Sequence, residues 1–310
     1  MTAVSAITVP TLPAMRVLER GWVSSNNVLL FDDDQATLID TGYVTHGEQT
    51  LQLVRHSLGN KRLARIINTH LHSDHCGGNA LLRRELGATI AIPPGHADAV
   101  ERWDEGMLGF SACGQACDRF SFDAIVRPGA RWVMGDTEWQ AFASPGHDPH
   151  SIVLWNADHR VLISADALWE HGFGVIFPEI EGNSGFTEQR AILALIEKLQ
   201  PHWVVPGHGA PFTDVSSALA RAFARLKALE ASPERNARSA IRTLIKFHLM
   251  IVRQVALDKL VERCSAWAYA RIINERYFRL PFAEFIARHV NELAASGALQ
   301  LNEAIVANRE

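Results

Sequence analysis

Thr69-His70-Leu71-His72-Ser73-Asp74-His75-Cys76-Gly77-Gly78 sets three imidazoles and a carboxylate side by side, directly after an apolar run at residues 63–68 that reads as a short buried strand. Three smaller patches repeat the arrangement: His147 in Ser144-Pro145-Gly146-His147, Asp166 in Ile163-Ser164-Ala165-Asp166, and His208 in Pro206-Gly207-His208-Gly209. Each patch lies where an apolar run ends and a turn begins. Imidazoles and carboxylates gathered at four strand ends predict a metal site with seven potential ligands: His70, His72, Asp74, His75, His147, Asp166 and His208. Isolated histidines carry no such signal, and His46, His56, His96, His159, His248 and His289 read as ordinary loop residues.

On an extended segment His70, His72 and Asp74, two apart, point to one side, whereas His75 breaks the alternation. One cluster can therefore feed two adjacent metal positions. Gly77 and Gly78 are expected to turn the chain into the next helix without a Cβ obstructing the metals. A nitrogen and oxygen donor set without thiolates suits zinc, and also iron or manganese. Seven donors exceed one tetrahedral site. Asp166 is the natural bridge, because beyond Asp74 it is the only carboxylate at a strand end among the histidine patches. Two zinc ions so bridged would share a hydroxide, since zinc lowers the pKa of bound water to about 7.

The rest of the chain supplies a scaffold for these loops. Residues 28–31 and 36–39 flank Asp32-Asp33-Asp34 and read as a hairpin. Residues 47–58, 79–86 and 187–199 have helical spacing, and strand-like pieces recur at 88–92, 131–133, 139–143, 152–155, 161–164 and 203–205. Two sheets between outer helices follow from that order. Residues 101–122 break the rhythm with Trp103, Met107, Phe110, Phe120 and Phe122, which either wall a pocket or pack in the core. Past residue 215 the pattern is helix, helix, helix, hairpin, the order of a winged-helix module. The chain is accordingly divided into a domain at 1–215 and a mostly helical, winged-helix-like domain at 216–310.

The set His70-Leu71-His72-Ser73-Asp74-His75, His147, Asp166 and His208 resembles the signature of the metallo-β-lactamase superfamily, in its glyoxalase II-like hydrolase branch. The likeness covers about residues 15–211. It implies an α+β fold, a four-layer αββα sandwich with the site at the cleft between its halves. It also implies His70, His72 and His147 on a first metal, Asp74, His75 and His208 on a second, and Asp166 bridging. Asp40 in Leu38-Ile39-Asp40-Thr41-Gly42 resembles the carboxylate with which that family orients its ligand imidazoles. The complete set is similar to thioesterases, lactonases and phosphodiesterases more than to true β-lactamases.

The expected reaction is attack by the bridging hydroxide on an ester, thioester or lactone carbonyl, with Asp74 as the catalytic group that passes a proton to the leaving group. A phosphodiesterase or ribonuclease of the same fold, and a mononuclear iron dioxygenase acting on a persulfide, are the competing enzymes. A regulatory protein reading its ligand through the C-terminal part would not need all seven ligands. Trp169 and His171 follow Asp166 closely enough to overhang the site and are the candidate substrate contacts.

Cations outnumber acids over residues 221–259, which predicts either a solvated face or a clamp for an anionic group such as a glutathione or coenzyme A tail. A small-molecule substrate is therefore expected, and a homo-oligomer is left open. The net charge of −4 argues against a chain-wide nucleic-acid binder, and no apolar stretch approaches the roughly 20 residues of a membrane helix. No secretory signal is visible at the start. Cys76, Cys113, Cys117 and Cys264 are too few for a disulfide framework, so a cytoplasmic setting with reduced thiols is expected. Cys76, beside the ligands, has no reading beyond filling a small space.

Overall fold

The computed structural model describes residues 6–9, 12 and 14–309. Seven strands lie in chain order across a first sheet: Ala6–Thr8, Met15–Leu18, Asn27–Phe31, Gln35–Ile39, Arg62–Ile67, Thr89–Ile92 and Ala124–Ile125. Its first four strands are antiparallel and the rest join in parallel. A second sheet runs in the order Trp203–Pro206, Val161–Ala165, Ile152–Asn156, Thr137–Ala143, Arg131–Met134. It is antiparallel except where Val161–Ala165 pairs with Trp203–Pro206.

Strand side chains alternate between two buried faces, which explains the near-continuous apolar runs. Val28, Leu30, Ile39, Ile67, Ile152, Leu154, Ile163 and Val205 meet in the middle between the sheets, around the fully buried Trp139. Leu29, Leu38, Ile66 and Ile90 face outward under helices Gly47–Leu58 and Asn79–Leu86. Val153, Leu162 and Val204 face the other way, under helices Phe186–Leu199 and Val215–Ala231. The layers are therefore helix, sheet, sheet, helix, an α+β sandwich as the sequence predicted.

The 101–122 insert resolves in favour of packing. Helices Ala97–Arg102 and Phe110–Cys113 carry it, and Trp103, Phe110, Phe120 and Phe122 join the core over the first sheet. Only its Cys113 and Gln115 line the cleft described below.

Helix Val215–Ala231 buries Ala218, Leu219, Ala222 and Leu226 with the second sheet's outer layer. A further core, which takes in Val175 and Ile180 as well, forms where helix Pro233–Val252 packs on Phe282–Ala295 through Ile241, Leu244, Phe285 and Val290. The terminal hairpin, Leu299–Asn302 with Ile305–Asn308, is joined by Gln254–Ala256, a three-residue strand too short to leave a periodic signal. Asn236 locks this part to the sandwich: its side chain donates to the Ile176 carbonyl at 2.7 Å and accepts from the Ile176 amide at 3.2 Å. No helix among the described residues is long and apolar enough to cross a membrane.

Candidate metal centre

The four patches follow strands Arg62–Ile67, Thr137–Ala143, Val161–Ala165 and Trp203–Pro206, and the fold turns all four loops toward one point. The ligand nitrogens of His70, His72 and His147 gather within 4.8 Å of one another, as do ligand atoms of Asp74, His75 and His208, and of His70, His75 and Asp166. His72 Nδ1 lies 3.1 Å from His70 Nε2 and 2.8 Å from His147 Nε2. His208 Nε2 lies 3.1 Å from Asp74 Oδ2. Asp166 stands between the groups, with Oδ1 at 3.5 Å from His75 Nε2 and Oδ2 at 3.4 Å from His147 Nε2.

Two expectations about the first loop need correction. Ser73–Cys76 is a turn of helix, so Asp74 does not continue an extended alternation. The helical turn, entered from the extended His72, instead swings Asp74 and His75 together to the side of His208. Gly77 and Gly78 have ordinary helical torsions. A Cβ on them would meet Val44 N at 2.4 Å and the Thr41 carbonyl oxygen at 2.5 Å, so they let two backbones touch and do not clear the metals. Two glycines guard the site: a Cβ on Gly207 would stand 2.2 Å from Asp166 Oδ1, and one on Gly174 would stand 2.4 Å from His147 Nδ1.

Neighbouring groups fix which nitrogen each imidazole presents. Asp40, in the left-handed region at φ 57°, accepts from the Thr69 amide at 2.8 Å, from Thr69 Oγ1 at 2.7 Å and from His75 Nδ1 at 2.8 Å. Thr69 Oγ1, its proton given to Asp40, is left to accept from His70 Nδ1 at 3.1 Å. The Val175 carbonyl, 2.5 Å from His147 Nδ1, can only accept, so that nitrogen carries the proton. In the neutral rings the Nε2 atoms of His70, His75 and His147 are thereby the ones that carry the lone pairs. His75 Nε2 is buried with no hydrogen-bond partner and faces Asp166 and Asp74, as is expected of a donor shaped for a cation.

Charge follows the same logic. Burial, then His75, His72 and His147, pushes His70 well below the ordinary imidazole value. Burial and His147 bring His72 down to about 4. Burial alone would lower His75, but Asp40, Asp166 and Asp74 hold it well above its usual value. Burial opposes ionisation of Asp166 too, yet His75, His208 and His147 keep it well below the usual carboxylate range. His75 and His208 likewise outweigh burial at Asp74. Two neutral imidazoles and two ionised carboxylates at neutral pH are what a divalent cation needs. The residues present fit such an ion.

A cleft of about 480 Å³ opens over these ligands. Trp169 lines it and turns its Nε1 to Asp166 Oδ1 at 3.3 Å. His171 does not: its side chain is 79% exposed and lies 3.8 Å from Glu170. Sequence reading missed Trp22, which is 58% exposed yet stacks on the His208 ring at 5.3 Å and 7°. It also missed Phe177, edge-on to His72 at 5.3 Å, and the buried Asp148, whose Oδ2 lies 3.8 Å from His72 Nε2. Asn26 was missed as well, and its side chain donates to the carbonyls of Pro206 at 3.0 Å and Gly209 at 2.7 Å, holding the His208 loop. Cys76 is buried with its Sγ 3.8 Å from Cys117 Sγ, against the insert.

Known proteins share this frame. The metallo-β-lactamase superfamily model matches residues 20–208. A hydroxyacylglutathione hydrolase of Rhodospirillum rubrum is 30% identical over 123 residues, 40% of each chain. The match thus spans well under half the length of that relative. A probable metallo-hydrolase of Bacillus subtilis, YqgX, is 26% identical over 63% of this chain and 89% of its own. Among solved structures, the B3 metallo-β-lactamase BLEG-1 has a TM-score of 0.56 at 21% identity, covering 67% of this chain and 95% of its own. A metallo-β-lactamase family protein of Thermus thermophilus has a TM-score of 0.54 at 18% identity and covers 99% of this chain and 98% of its own. With the family model spanning well over half of the chain and the sandwich matching, the chain belongs to the metallo-β-lactamase superfamily.

Proposed function

We propose that this metal-dependent hydrolase holds two divalent ions, zinc by preference, and cleaves the ester, thioester or lactone carbonyl of a small molecule. His70, His72 and His147 would hold one ion, Asp74, His75 and His208 the other, and Asp166 would bridge. The observation that carries this is the position of Asp166, whose two carboxylate oxygens face different ligand groups. Bound there, the ions would supply Lewis acidity and a water nucleophilic at neutral pH.

The chain's own residues do the rest. Asp74, ionised and held at 3.1 Å from His208 Nε2, lines the cleft. It takes up the proton of the attacking water and returns it to the leaving oxygen or sulfur. Trp22, Trp169 and Phe177 roof the ligands and keep bulk water off the reacting carbonyl. Likeness to hydroxyacylglutathione hydrolases supports a thioester as the first substrate class to try. Residues 216–310 act as an appended unit that walls the cleft, and their helix, strand, helices, hairpin order supports a winged-helix-like reading. The free thiols support a reducing, cytoplasmic setting.

Metal analysis of the purified chain, followed by hydrolysis assays on thioesters, lactones and phosphodiesters, tests the proposal. About two zinc ions per chain and turnover of a carbonyl substrate are expected. One iron with oxygen consumption, or turnover of phosphodiesters alone, would overturn it. Asp166→Ala and His72→Ala should lose metal and hydrolysis together, and full turnover by either variant without metal would sink the assignment.

A further inference from the structure

The cations at the cleft differ sharply in how they are engaged. Lys246 lines the cleft, but its ammonium already donates to the Ala298 carbonyl at 2.8 Å, Asn308 Oδ1 at 2.6 Å and the Arg309 carbonyl at 2.9 Å. All three of its protons are used. Arg238, nearby on the same helix, lies 3.7 Å from Glu234 and 3.8 Å from Glu292. Arg225 and Arg242 are different: both line the cleft, and among the described residues neither has a carboxylate oxygen within 4.0 Å.

Arg225 is moreover fixed in place. Its Nη1 donates to the Phe173 carbonyl at 2.7 Å and its guanidinium carbon sits 4.6 Å from the Phe173 ring centre. Gly172, at φ 133°, leaves the room: a Cβ there would come within 2.6 Å of Arg225 Nη1. The same short loop carries Trp169 onto Asp166, so the guanidinium and the ligand cluster are set by one piece of chain. Arg242 has only a long contact, 3.4 Å, to Ser296 Oγ. On its helix Ser239, Arg242 and Thr243 face the cleft together, one turn before the apolar Phe247 and Met250.

Arginine forks recognise carboxylate and phosphate groups bidentately. A half-buried guanidinium with no counter-ion is costly, and burial indeed lowers the Arg225 pKa; the cost is relieved when an anion binds. We infer that Arg225 and Arg242 form an anion seat, so that the substrate carries a carboxylate or phosphate group besides its reacting carbonyl. This rests on the hydrolase reading above and adds to it the charge of the substrate.

The test uses the metal-loaded full chain and one butyryl group on three thiols: neutral N-acetylcysteamine, glutathione with its carboxylates, and coenzyme A with its phosphates. Succinyl-N-acetylcysteamine places the carboxylate on the acyl side instead. At least one charged member should exceed the neutral one by about tenfold or more in kcat/KM. Arg225→Met and Arg242→Met should each lose about 10- to 100-fold on that member, mainly through KM, and about tenfold less on the neutral one. Arg225→Lys should recover part of the loss. Metal content and Tm report whether each variant is folded.

Equal rates on neutral and charged thioesters, or equal losses on both, would overturn the seat. If none of these thioesters is turned over, the thioester class fails without deciding against an ester or lactone, and the seat is judged by binding alone. Glutathione, coenzyme A or succinate should then raise the Tm of the parent chain and not that of the Arg225→Met/Arg242→Met double variant. Absence of any shift in the parent chain overturns the seat too.

Discussion

Asp40 Oδ2 accepts the Nδ1 proton of His75 at 2.8 Å and so decides that the opposite nitrogen of that buried ring looks at Asp166 and Asp74. Asp40 itself does not line the cleft. Its effect on chemistry passes through His75 and, by way of Thr69, through His70.

Asp40→Asn keeps the size of the side chain but gives up a charged acceptor. Metal affinity is expected to fall about 10- to 100-fold, as for other residues that orient ligand histidines. Competition with a fluorescent zinc chelator measures this, and unchanged affinity would show that His75 needs no such support.

The metal-free chain should have a two-sided pH profile. His72, at about 4 in the fold, and His70, held well below its ordinary value, must gain protons on unfolding. Their effect is to remove stability as pH falls below about 6.5. His75 has the opposite sign: held above its ordinary value, it contributes fully below about 6.5 and that contribution is lost as pH rises through the raised value. Thermal melts of chelator-treated protein should therefore peak near neutrality. Metal uptake at pH 7 should release a proton from His75, seen by calorimetry in buffers of different ionisation enthalpy. Identical heats in both buffers would contradict it.

Gly207→Ala would drive a methyl group to 2.2 Å from Asp166 Oδ1. The Asp166 carboxylate must shift, so metal content and activity should drop at least about tenfold while the chain still folds. Gly59→Ala is the control, since its Cβ meets nothing within 4 Å and only the φ of 56° is strained. It should cost about 1–2 kcal/mol in denaturant melts and leave metal content alone.

Trp22→Ala removes the ring lying on His208. Because Trp22 is 58% exposed, less than about 1 kcal/mol of stability should be lost. The KM for substrate should rise several-fold by steady-state assay, and a Tm drop without a KM change would assign Trp22 a packing role instead.

Much of this site was written in short stretches of sequence, because each ligand follows a strand and strands announce themselves as apolar runs. The Asp32-Asp33-Asp34 hairpin and the layer order came from the same signal. Grouping of ligands did not, because Ser73 starts a helical turn that no periodicity over four residues can reveal. Asn26 was invisible for another reason: its partners at Pro206 and Gly209 lie some 180 residues away, and a single asparagine has no pattern. Asp148 reads as a turn residue until His72 is placed beside it. The glycines of the first loop were noticed for the right property, close approach, but against the wrong neighbour.

Ser25 and Asn26 also bear on how the cleft can breathe. The Ser25 amide binds the Asp74 carbonyl at 2.9 Å and the Asn26 amide binds the Gly207 carbonyl at 2.7 Å, so adjacent residues at the head of strand Asn27–Phe31 grip ligand loops from both halves. The floor of the cleft is thus riveted across its seam, and the two sheets cannot part like jaws without tearing out those amides. The opposite wall, helix Pro233–Val252, is held to the sandwich at its start by Asn236 and near its end by the buried Phe247, edge-on to Tyr43 at 5.1 Å. With floor and wall both pinned by these contacts, the spacing of the candidate ligands is set by the fold.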